Sequence, residues 1–485
     1  MRLLLKWLLR AVVAAALVLG TIVLLRAFDA RKLPDLRAWH RVSSRSEARA
    51  REMTPDFTLA DYLRREDATF REARREVESR LGPRDKTRAN RYFAGSPLHS
   101  SHFAQDWNRT FELVPERVRG GALLIHGLTD SPYSMRRLAR IFQESGFYVL
   151  CPRMPGHGTV PGALTRVVWE DWMAAVKMAA RHVQGRIGPG MPFYIVGFSS
   201  GGALTLRYAL DALEDPALPA PDRLLLLSPM IGVTRLAGLA KIVSTMGYLR
   251  YFEKSRWISI APEYIPFKYN SFPANAAHQT LRLTRSVERS LARAEKSGEI
   301  ARLPRILAFQ SLVDYTVSTE AVVGRLFDRL PASGSELVIF DRNRHADLRT
   351  LQPSGSEETL PRILPRRTRR YTVTIVTNAT PRTADAVARR TPAGEMPDRA
   401  EPIGLAWPAH TFSLSHIALP FPPDDPLYGT EPDTREFYGV RLGTLAPRGE
   451  RGGLVVGMDQ VMRLTCNPFF SYVDRRVREW IGDGP

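Results

Sequence analysis

Short apolar runs recur along the chain from residue 108 onwards, and segments with helical spacing separate them. Runs of this length, rich in aliphatic and aromatic residues, predict buried β-strands. We expect strands at residues 108–114, 121–125, 146–152, 193–196, 224–227, 305–310, 336–341 and 371–377. Helices are expected at about residues 168–183 and after residue 201. The 485 residues, of which 44% are hydrophobic, suffice for one large α/β domain with appendages.

The first appendage is an apolar N-terminal segment. Within residues 3–25 the only charged side chains are Lys6 and Arg10, and no small-residue cleavage site follows. We therefore predict an uncleaved signal anchor within residues 1–30, with a cleaved signal peptide as the alternative. Basic residues flank both ends and leave the orientation open. In a bacterium, the helix would cross the inner membrane, and the domain that follows would more often face the periplasm.

Residues 31–107 form the second appendage, a predicted helical extension. Thr58, with Asp61 three residues later, predicts the start of a helix, and the Gly82-Pro83 pair predicts its end. The apolar positions at near-helical spacing are Leu59, Leu63, Phe70, Val77 and Leu81. Such an amphipathic helix packs on the rest of the protein or lies on a membrane surface, and packing is the commoner outcome.

The chain is strongly basic, with 69 Lys and Arg against 50 Asp and Glu and a net charge of +19. The basic residues are scattered, and no nucleic-acid-binding motif accompanies them, so we predict no nucleic-acid partner. Attraction to anionic lipid explains the charge more simply, and a solvated basic surface is the plainer alternative. No His-Glu-x-x-His motif is present, and Cys151 and Cys466 lack the spacing of metal ligands, so we predict neither a metal nor a disulfide.

One motif carries candidate chemistry in the middle of the chain. The sequence Gly-Phe-Ser-Ser-Gly at 197–201 follows a predicted strand and leads into a predicted helix. A sharp strand-to-helix turn exposes the hydroxyl of its central serine, here Ser199, and two glycines leave room for the turn. A glycine-rich turn with a buried serine is the alternative if the motif stands alone.

Three further motifs precede this strand-to-helix turn, the nucleophile elbow, in a fixed order. They are HGLTDSP at 126–132, RMPGHGT at 153–159 and WEDW at 169–172. Together with GFSSGG at 197–202 they resemble the α/β-hydrolase superfamily, in its carboxylesterase, monoacylglycerol lipase and S33 aminopeptidase-like branch. The resemblance implies a mostly parallel sheet with helices on both faces and a cap insertion. It also implies an oxyanion hole formed by the backbone N–H groups of Leu128 and Ser200.

The family order of nucleophile, acid and base puts the last two after Ser199. Asp314 follows the strand at 305–310 and resembles the family's acid, which orients the catalytic imidazole. The alternative is that Asp314 only caps a turn before a helix near Ser318.

Three histidines follow Asp314, and two of them are candidate bases. His416 lies in a Ser-x-His-Ile turn like that of related carboxylesterases, but it requires a long insertion before it. His345 fits the compact family arrangement, but Arg342 and Arg344 flank it and disfavour an imidazolium. We favour His416 and keep His345 as the alternative. His410 is expected in a strand or loop, and His126 and His157 resemble structural positions of the family.

Two insertions interrupt the predicted catalytic domain at 108–485. The cap at 229–303 is rich in aromatic residues, which would contact an apolar acyl chain or form the core of the cap itself. The second insertion, 347–409, is rich in proline and arginine and contains the strand at 371–377, which would extend the sheet. The proline-rich loop at 420–429 would form a rim of the pocket.

The sequence predicts a membrane-anchored serine hydrolase of lipid or other apolar acyl esters that needs no cofactor. Ser199, Asp314 and His416 would form its triad. An acyltransferase or thioesterase would use the same residues, and a non-catalytic scaffold or binding protein of this fold is the alternative. No acidic cluster is positioned to bind a substrate amine, which argues against a peptidase.

Overall fold

A computed structural model describes residues 32–232, 250–346, 355–409, 411–443 and 465–482, together with residues 5–7, 9–10, 12–14, 17 and 20–21. The strands are β1 (Phe111–Leu113), β2 (Gly120–Ile125), β3 (Phe147–Cys151), β4 (Phe193–Phe198), β5 (Arg223–Leu227), β6 (Trp257–Ser259), β7 (Phe272–Pro273), β8 (Arg305–Ser311), β9 (Glu336–Phe340), β10 (Thr372–Asn378), β11 (Asp385–Thr391) and β12 (Arg399–Ala406). The α-helices are α1 (Ala38–Arg41), α2 (Leu59–Glu78), α3 (Arg136–Glu144), α4 (Trp169–Ile187), α5 (Ser200–Glu214), α6 (Ala274–Ser297), α7 (Thr319–Ala321), α8 (Thr359–Ile363) and α9 (Phe470–Gly482).

One sheet of ten strands forms the centre of the protein, in the order β1-β3-β2-β4-β5-β8-β9-β10-β11-β12. The strands from β3 to β10 in this order run parallel to one another, and β1, β11 and β12 pair antiparallel at the two edges. All residues of β2, β4 and β5 are buried, as expected for parallel strands that helices cover on both faces.

Two hydrophobic cores lie on opposite faces of this sheet. Leu123 and Ile125 of β2 face the core that contains α4, α5 and α6, whereas Ala122 and Leu124 face the core that contains α3 and α9. This division follows from the two-residue period of a strand. The carboxyl ends of the parallel strands therefore share one edge, where the loops that bear functional residues gather.

The second insertion lengthens the sheet. Strand β10 pairs parallel to β9, and β11 and β12 follow as antiparallel neighbours. The predicted strand at 371–377 thus does join the sheet, with two further strands beside it. The first strand is shorter than predicted, since it begins at Phe111 rather than at residue 108.

The N-terminal extension packs on the α/β domain. Helix α2 begins at Leu59 with Thr58 as its cap, because Thr58 Oγ1 accepts from Asp61 N and Asp61 Oδ2 accepts from Thr58 N. Tyr62 and Phe70 are among its buried residues. Packing on the domain, rather than on a membrane surface, is therefore the outcome for this helix.

The predicted anchor at 3–25 falls largely outside the described residues. Within the part of the chain that is described, no helix combines the length and apolar character that a membrane span requires. Cys151 and Cys466 are both buried, and neither forms a disulfide in the structure.

Candidate active site

Ser199 lies at the sharp turn between β4 and α5. Its φ of 55° and ψ of −116° are strained for a residue with a side chain, as expected for a nucleophile elbow. Gly201 allows this turn, because a Cβ there would collide with the backbone carbonyl oxygen of Ile125. The strain is fixed by neighbours: Ser199 N donates to Leu227 O over 2.9 Å, and Ser199 O accepts from Met230 N over 3.0 Å.

A continuous chain of hydrogen bonds joins Ser199, His416 and Asp314. His416 Nε2 is 2.9 Å from Ser199 Oγ, and His416 Nδ1 is 2.8 Å from Asp314 Oδ2. Because a carboxylate accepts, Nδ1 carries the proton and Nε2 accepts from the serine hydroxyl. Ser199 and His416 are buried, and the side chain of Asp314 has no exposed surface. The imidazole also stacks on Phe198, with 5.4 Å between ring centroids.

Asp314 uses its two carboxylate oxygens for two tasks. Oδ1 accepts from the backbone N–H groups of Thr316 and Val317, each over 2.8 Å. Oδ2 faces His416 and also accepts from Gln310 Nε2 over 3.2 Å. One carboxylate oxygen therefore caps the turn, and the other contacts the imidazole of His416. Sequence reasoning missed Gln310, whose only signal is its position four residues before the acid.

The second insertion explains how a histidine so late in the chain reaches Ser199. After β12 the chain returns to the carboxyl ends of β8 and β9, where Asn343 N donates to Phe412 O over 2.6 Å and Ser311 Oγ donates to Leu414 O over 2.9 Å. This anchoring sets the short 3₁₀ turn that starts at His416. His345 instead lies exposed on the turn Arg344–Ala346. His410 lies outside the described residues.

The two predicted oxyanion donors lie on either side of the elbow. Ser200 is the first residue of α5, where a helix presents unpaired N–H groups. Leu128 lies in the turn after β2, which we call the oxyanion turn (residues 126–130). Neither the Leu128 N–H nor the Ser200 N–H donates a hydrogen bond to a residue that the structure describes. Within the described part of the chain, both N–H groups thus have no acceptor.

The oxyanion turn is held in a strained conformation by the cap. Thr129 has a φ of 63°, which a β-branched residue rarely adopts. Tyr269 N donates to Thr129 O over 2.8 Å, and Lys268 Nζ contacts Thr129 Oγ1 and Asp130 Oδ1, each over 3.1 Å. These two cap residues were not singled out as holding the oxyanion turn.

The described aromatic residues of the cap are mostly packed into cores. Trp257 packs with Leu36 and Ile260, and Phe267 stacks on Tyr133 with 4.3 Å between ring centroids. Tyr269 is also buried, whereas Tyr264 is 40% exposed. For these residues the cap's own core, rather than substrate contact, is the role that the packing supports. Met246 and Tyr248 lie outside the described residues.

His126, the first residue of the oxyanion turn, and His157 are both buried, with 5.0 Å between their ring centroids. Burial lowers the pKa of His126 to about 3 and lowers the pKa of His157 well below its usual value. Both are therefore neutral at physiological pH. Among the described residues no group of three or more His, Cys, Asp or Glu side chains is arranged to hold a metal ion.

Comparison with known proteins agrees with this architecture. Residues 116–349 match the family model described as serine aminopeptidase, S33; this range includes Ser199 and Asp314 and ends before His416. A thermostable monoacylglycerol lipase from Bacillus sp. (strain H-257) is 38% identical over 89 residues, which make up 18% of this chain and 34% of that protein. The chain thus matches about a third of the length of this curated relative.

Solved structures of lipases and esterases are also similar. The monoacylglycerol lipase of Paleococcus ferrophilus shares 18% identity with a TM-score of 0.36, and the match covers 48% of this chain and 88% of that one. A soluble variant of monoglyceride lipase from Saccharomyces cerevisiae shares 14% identity with a TM-score of 0.37, and the match covers 48% of this chain and 82% of that one. The strand order, the elbow and the family match together identify an α/β-hydrolase fold, and the predicted resemblance to its S33-type, lipase-like branch is confirmed over residues 116–349.

Proposed function

We propose that this protein is a serine hydrolase that cleaves carboxylic esters with apolar acyl groups. One observation carries the proposal: the hydrogen bonds of 2.9 and 2.8 Å that run from Ser199 through His416 to Asp314. A serine hydroxyl is a weak nucleophile unless a base lies within hydrogen-bond reach and a third group orients that base. Both conditions are met by buried side chains at one edge of the sheet.

The reaction follows from this geometry. Ser199 Oγ attacks the ester carbonyl while His416 Nε2 takes its proton, and the Asp314 carboxylate stabilises the imidazolium that forms. The carbonyl oxygen becomes an oxyanion, which accepts hydrogen bonds from Leu128 N–H and Ser200 N–H. His416 then gives the proton to the leaving alcohol, and an acyl-Ser199 ester remains. Water, deprotonated by His416, then attacks the acyl carbonyl, the bond to Ser199 Oγ breaks to release the acid, and His416 returns the proton to Ser199 Oγ. No step requires a cofactor.

The substrate class is inferred from the surroundings of the nucleophile and from the relatives. Met230 and Ile231 begin the cap directly after the strand beside the elbow, and both side chains are apolar and buried. Leu128 adds a half-buried apolar side chain on the other side. Apolar surroundings of this kind beside the nucleophile suit an acyl chain better than a polar substrate. The curated relative is named a monoacylglycerol lipase, and we extend that substrate class to this chain.

We also propose that residues 3–25 anchor the enzyme in a membrane, which would bring the active site close to lipid substrates. Their apolar sequence supports this. The test expresses the full chain and a variant that lacks residues 1–30, and separates membranes from the supernatant after an alkaline carbonate wash. We expect the full chain in the membrane fraction and the shortened chain in the supernatant. Full-length protein in the supernatant would contradict the anchor.

If the host is bacterial, protease access to spheroplasts would test the periplasmic orientation.

The chemistry is tested by labelling with a fluorophosphonate, which reacts with activated serines. We expect the wild type and His345→Ala to label, and Ser199→Ala and His416→Ala not to label, with each variant checked for folding by its melting temperature. His345→Ala is the matched control, because it removes an exposed histidine after the same acid. Loss of labelling in His345→Ala alone would assign the base to His345. Failure of the folded wild type to label would favour a non-catalytic scaffold.

The substrate class is tested with a matched panel on wild-type enzyme that has not been treated with the fluorophosphonate. Monoacylglycerols and p-nitrophenyl esters of increasing chain length are compared with acyl thioesters and an aminoacyl anilide, and added glycerol serves as an acyl acceptor. We expect ester hydrolysis to dominate. Faster thioester cleavage, transfer to glycerol or anilide cleavage would instead identify a thioesterase, an acyltransferase or an aminopeptidase.

A further inference from the structure

A buried ion cluster joins the N-terminal extension to the catalytic domain. Arg153 is 1% exposed and lies between two carboxylates of the extension, Glu47 at 3% and Glu66 at 2%. Arg153 Nη2 is 2.7 Å from Glu47 Oε1, and Arg153 Nε is 3.1 Å from Glu66 Oε2. The family match begins at residue 116, so both carboxylates lie outside the matched range. We call these three residues the extension cluster.

The cluster fixes the loop that follows β3. Arg153 Nη1 donates to His157 O over 3.0 Å, and Gly156 N donates to Glu47 Oε2 over 2.9 Å. Glu66 is held in turn by the backbone N–H and the hydroxyl of Thr110. Both carboxylates thus contact the arginine, and Glu47 also contacts the backbone of the 153–157 loop. Buried ion pairs add little net stability on average, but they do fix the positions of the groups they join.

His126 connects this loop to the oxyanion turn. Met154 N donates to His126 Nε2 over 3.0 Å, so Nε2 is the acceptor of the ring. The proton therefore lies on Nδ1, which donates to Gly127 O over 2.9 Å. The position of the 153–157 loop thus sets both the tautomer and the orientation of the imidazole.

The Gly127 carbonyl belongs to the same peptide unit as the Leu128 N–H. In a trans peptide the C=O and N–H groups point in opposite directions, and the described residues contain no cis peptide. The His126 hydrogen bond to Gly127 O therefore also fixes the direction of the Leu128 N–H. Rotation of this peptide would turn that donor away from the oxyanion.

We propose that the N-terminal extension positions the oxyanion hole: Glu47 and Glu66 hold Arg153, which sets the 153–157 loop and, through His126, the Leu128 N–H. This inference rests on the proposed function, because it requires an oxyanion at Leu128. Glu47, Glu66 and Arg153 are positioning residues and touch no reacting atom. The extension is then a part of the catalytic machinery rather than a spacer between the anchor and the enzyme.

The test uses the full chain with Glu47→Gln and, separately, Glu66→Gln. Both variants keep the size and an acceptor oxygen but remove one charge from the cluster. Active sites are counted by fluorophosphonate labelling of one sample. On an untreated sample, KM and kcat per active site are measured with a p-nitrophenyl ester. We expect kcat per site to fall about tenfold with KM little changed. Complete loss of an oxyanion donor lowers kcat by more than this, whereas here the Leu128 N–H is only misplaced. Glu72→Gln is the matched control, because Glu72 binds Ser44 and the N–H groups of residues 45 and 46 within the extension and does not contact Arg153.

Other outcomes separate the possible failures. If both variants lower only the number of labelled sites or the melting temperature, with kcat per site unchanged, the cluster is merely structural and the inference is overturned. If Glu47→Gln and Glu66→Gln do not fold, Thr110→Val gives the same readout with a smaller expected fall, because it removes the hydroxyl that donates to Glu66 and accepts from Arg153 N. A wild type that labels nothing and cleaves no ester would refute the proposed function itself.

Discussion

Gln310 donates a hydrogen bond from Nε2 to Asp314 Oδ2 over 3.2 Å, and this carboxylate oxygen is the one that faces His416. The same Nε2 lies 3.2 Å from Thr319 Oγ1, and the Gln310 side chain is wholly buried. Gln310 therefore holds the acid from the strand side, while the turn at Thr316 and Val317 holds its other oxygen.

Replacement of Gln310 by leucine should lower kcat on a p-nitrophenyl ester by about tenfold. A hydrogen bond to a charged group contributes about 1.5–3 kcal/mol, and only part of that is lost as the acid reorients. KM should change little. Gln279→Leu is the control, because Gln279 is a buried glutamine that binds Trp169 N and Asn275 and does not contact the triad. An equal fall in kcat for both variants would show a general packing effect.

Gly201→Ala should destabilise the protein by about 1–3 kcal/mol and abolish labelling of Ser199. The new Cβ would meet the backbone carbonyl oxygens of Ile125 and His126, neither of which can move without shifting the oxyanion turn. Gly185→Ala is the matched control in α4, where a Cβ meets nothing within 4 Å. That variant should gain up to about 1 kcal/mol from helix propensity. Urea unfolding checks both variants: the free energy of unfolding should fall in Gly201→Ala and rise in Gly185→Ala.

His40 should make the protein sensitive to acid. It is buried, accepts from Arg37 N and contacts Ser271 Oγ, and burial lowers its pKa to about 3. The unfolded state, with a pKa near 6.5, binds the proton more readily, so stability is present above pH 6.5 and is lost as pH falls towards 3. The loss from this one group reaches about 2 kcal/mol at pH 5. The free energy of unfolding in urea should fall between pH 7.5 and pH 5.0 in the wild type, and it should fall by about 2 kcal/mol less in His40→Gln. An equal fall in both proteins would contradict the role assigned to His40.

Some features of the site follow from local sequence and others do not. The elbow at Ser199 and the turn at Asp314 are each encoded within a few residues, and so could be predicted. The sequence favoured His416 as the base but kept His345 as the alternative, because His416 reaches Ser199 only after β10, β11 and β12 have extended the sheet beyond β9. Local composition around His345 and His416 does not record that long-range path.

The extension cluster was missed for the same reason. Glu47, Glu66 and Arg153 share no motif or spacing, and their pairing depends on how α2 packs across the loop after β3. The sequence did predict α2 and its cap, because the helical spacing of apolar residues and the capping residues can be recognised within a short stretch of sequence. Similarly, the aromatic content of the cap was evident, whereas the burial of Phe267 and Trp257 in cores depends on tertiary packing.

The two cysteines should be inert in the native protein. Cys151 and Cys466 are buried, and burial raises the pKa of both thiols, so little reactive thiolate forms at neutral pH. A thiol reagent such as DTNB should titrate both in denaturant and neither rapidly in native buffer. Rapid native reaction with loss of ester hydrolysis would place a reactive cysteine near the site instead.

Asn343 should control activity through the loop that carries His416. Its N–H donates to Phe412 O over 2.6 Å, its Nδ2 donates to Thr411 O over 2.8 Å, and its Oδ1 accepts from Asn378 Nδ2 over 3.1 Å. Asn343→Asp keeps the acceptor but removes the donor to Thr411 and puts a carboxylate against a carbonyl oxygen. The return loop should then shift, and kcat should fall by about ten- to a hundredfold because misplacement of a base by about 1 Å has this effect.

The control for this variant is Asn270→Asp, in which the lost donor is an exposed contact with Pro262 O in the cap. Its kcat should stay at the wild-type value. Measurement of kcat per fluorophosphonate-labelled site separates a displaced His416 from partial unfolding, since unfolding reduces the number of sites and displacement reduces the rate at each one. Wild-type kcat per site in Asn343→Asp would mean that Ser311 and the rest of the loop hold His416 without Asn343.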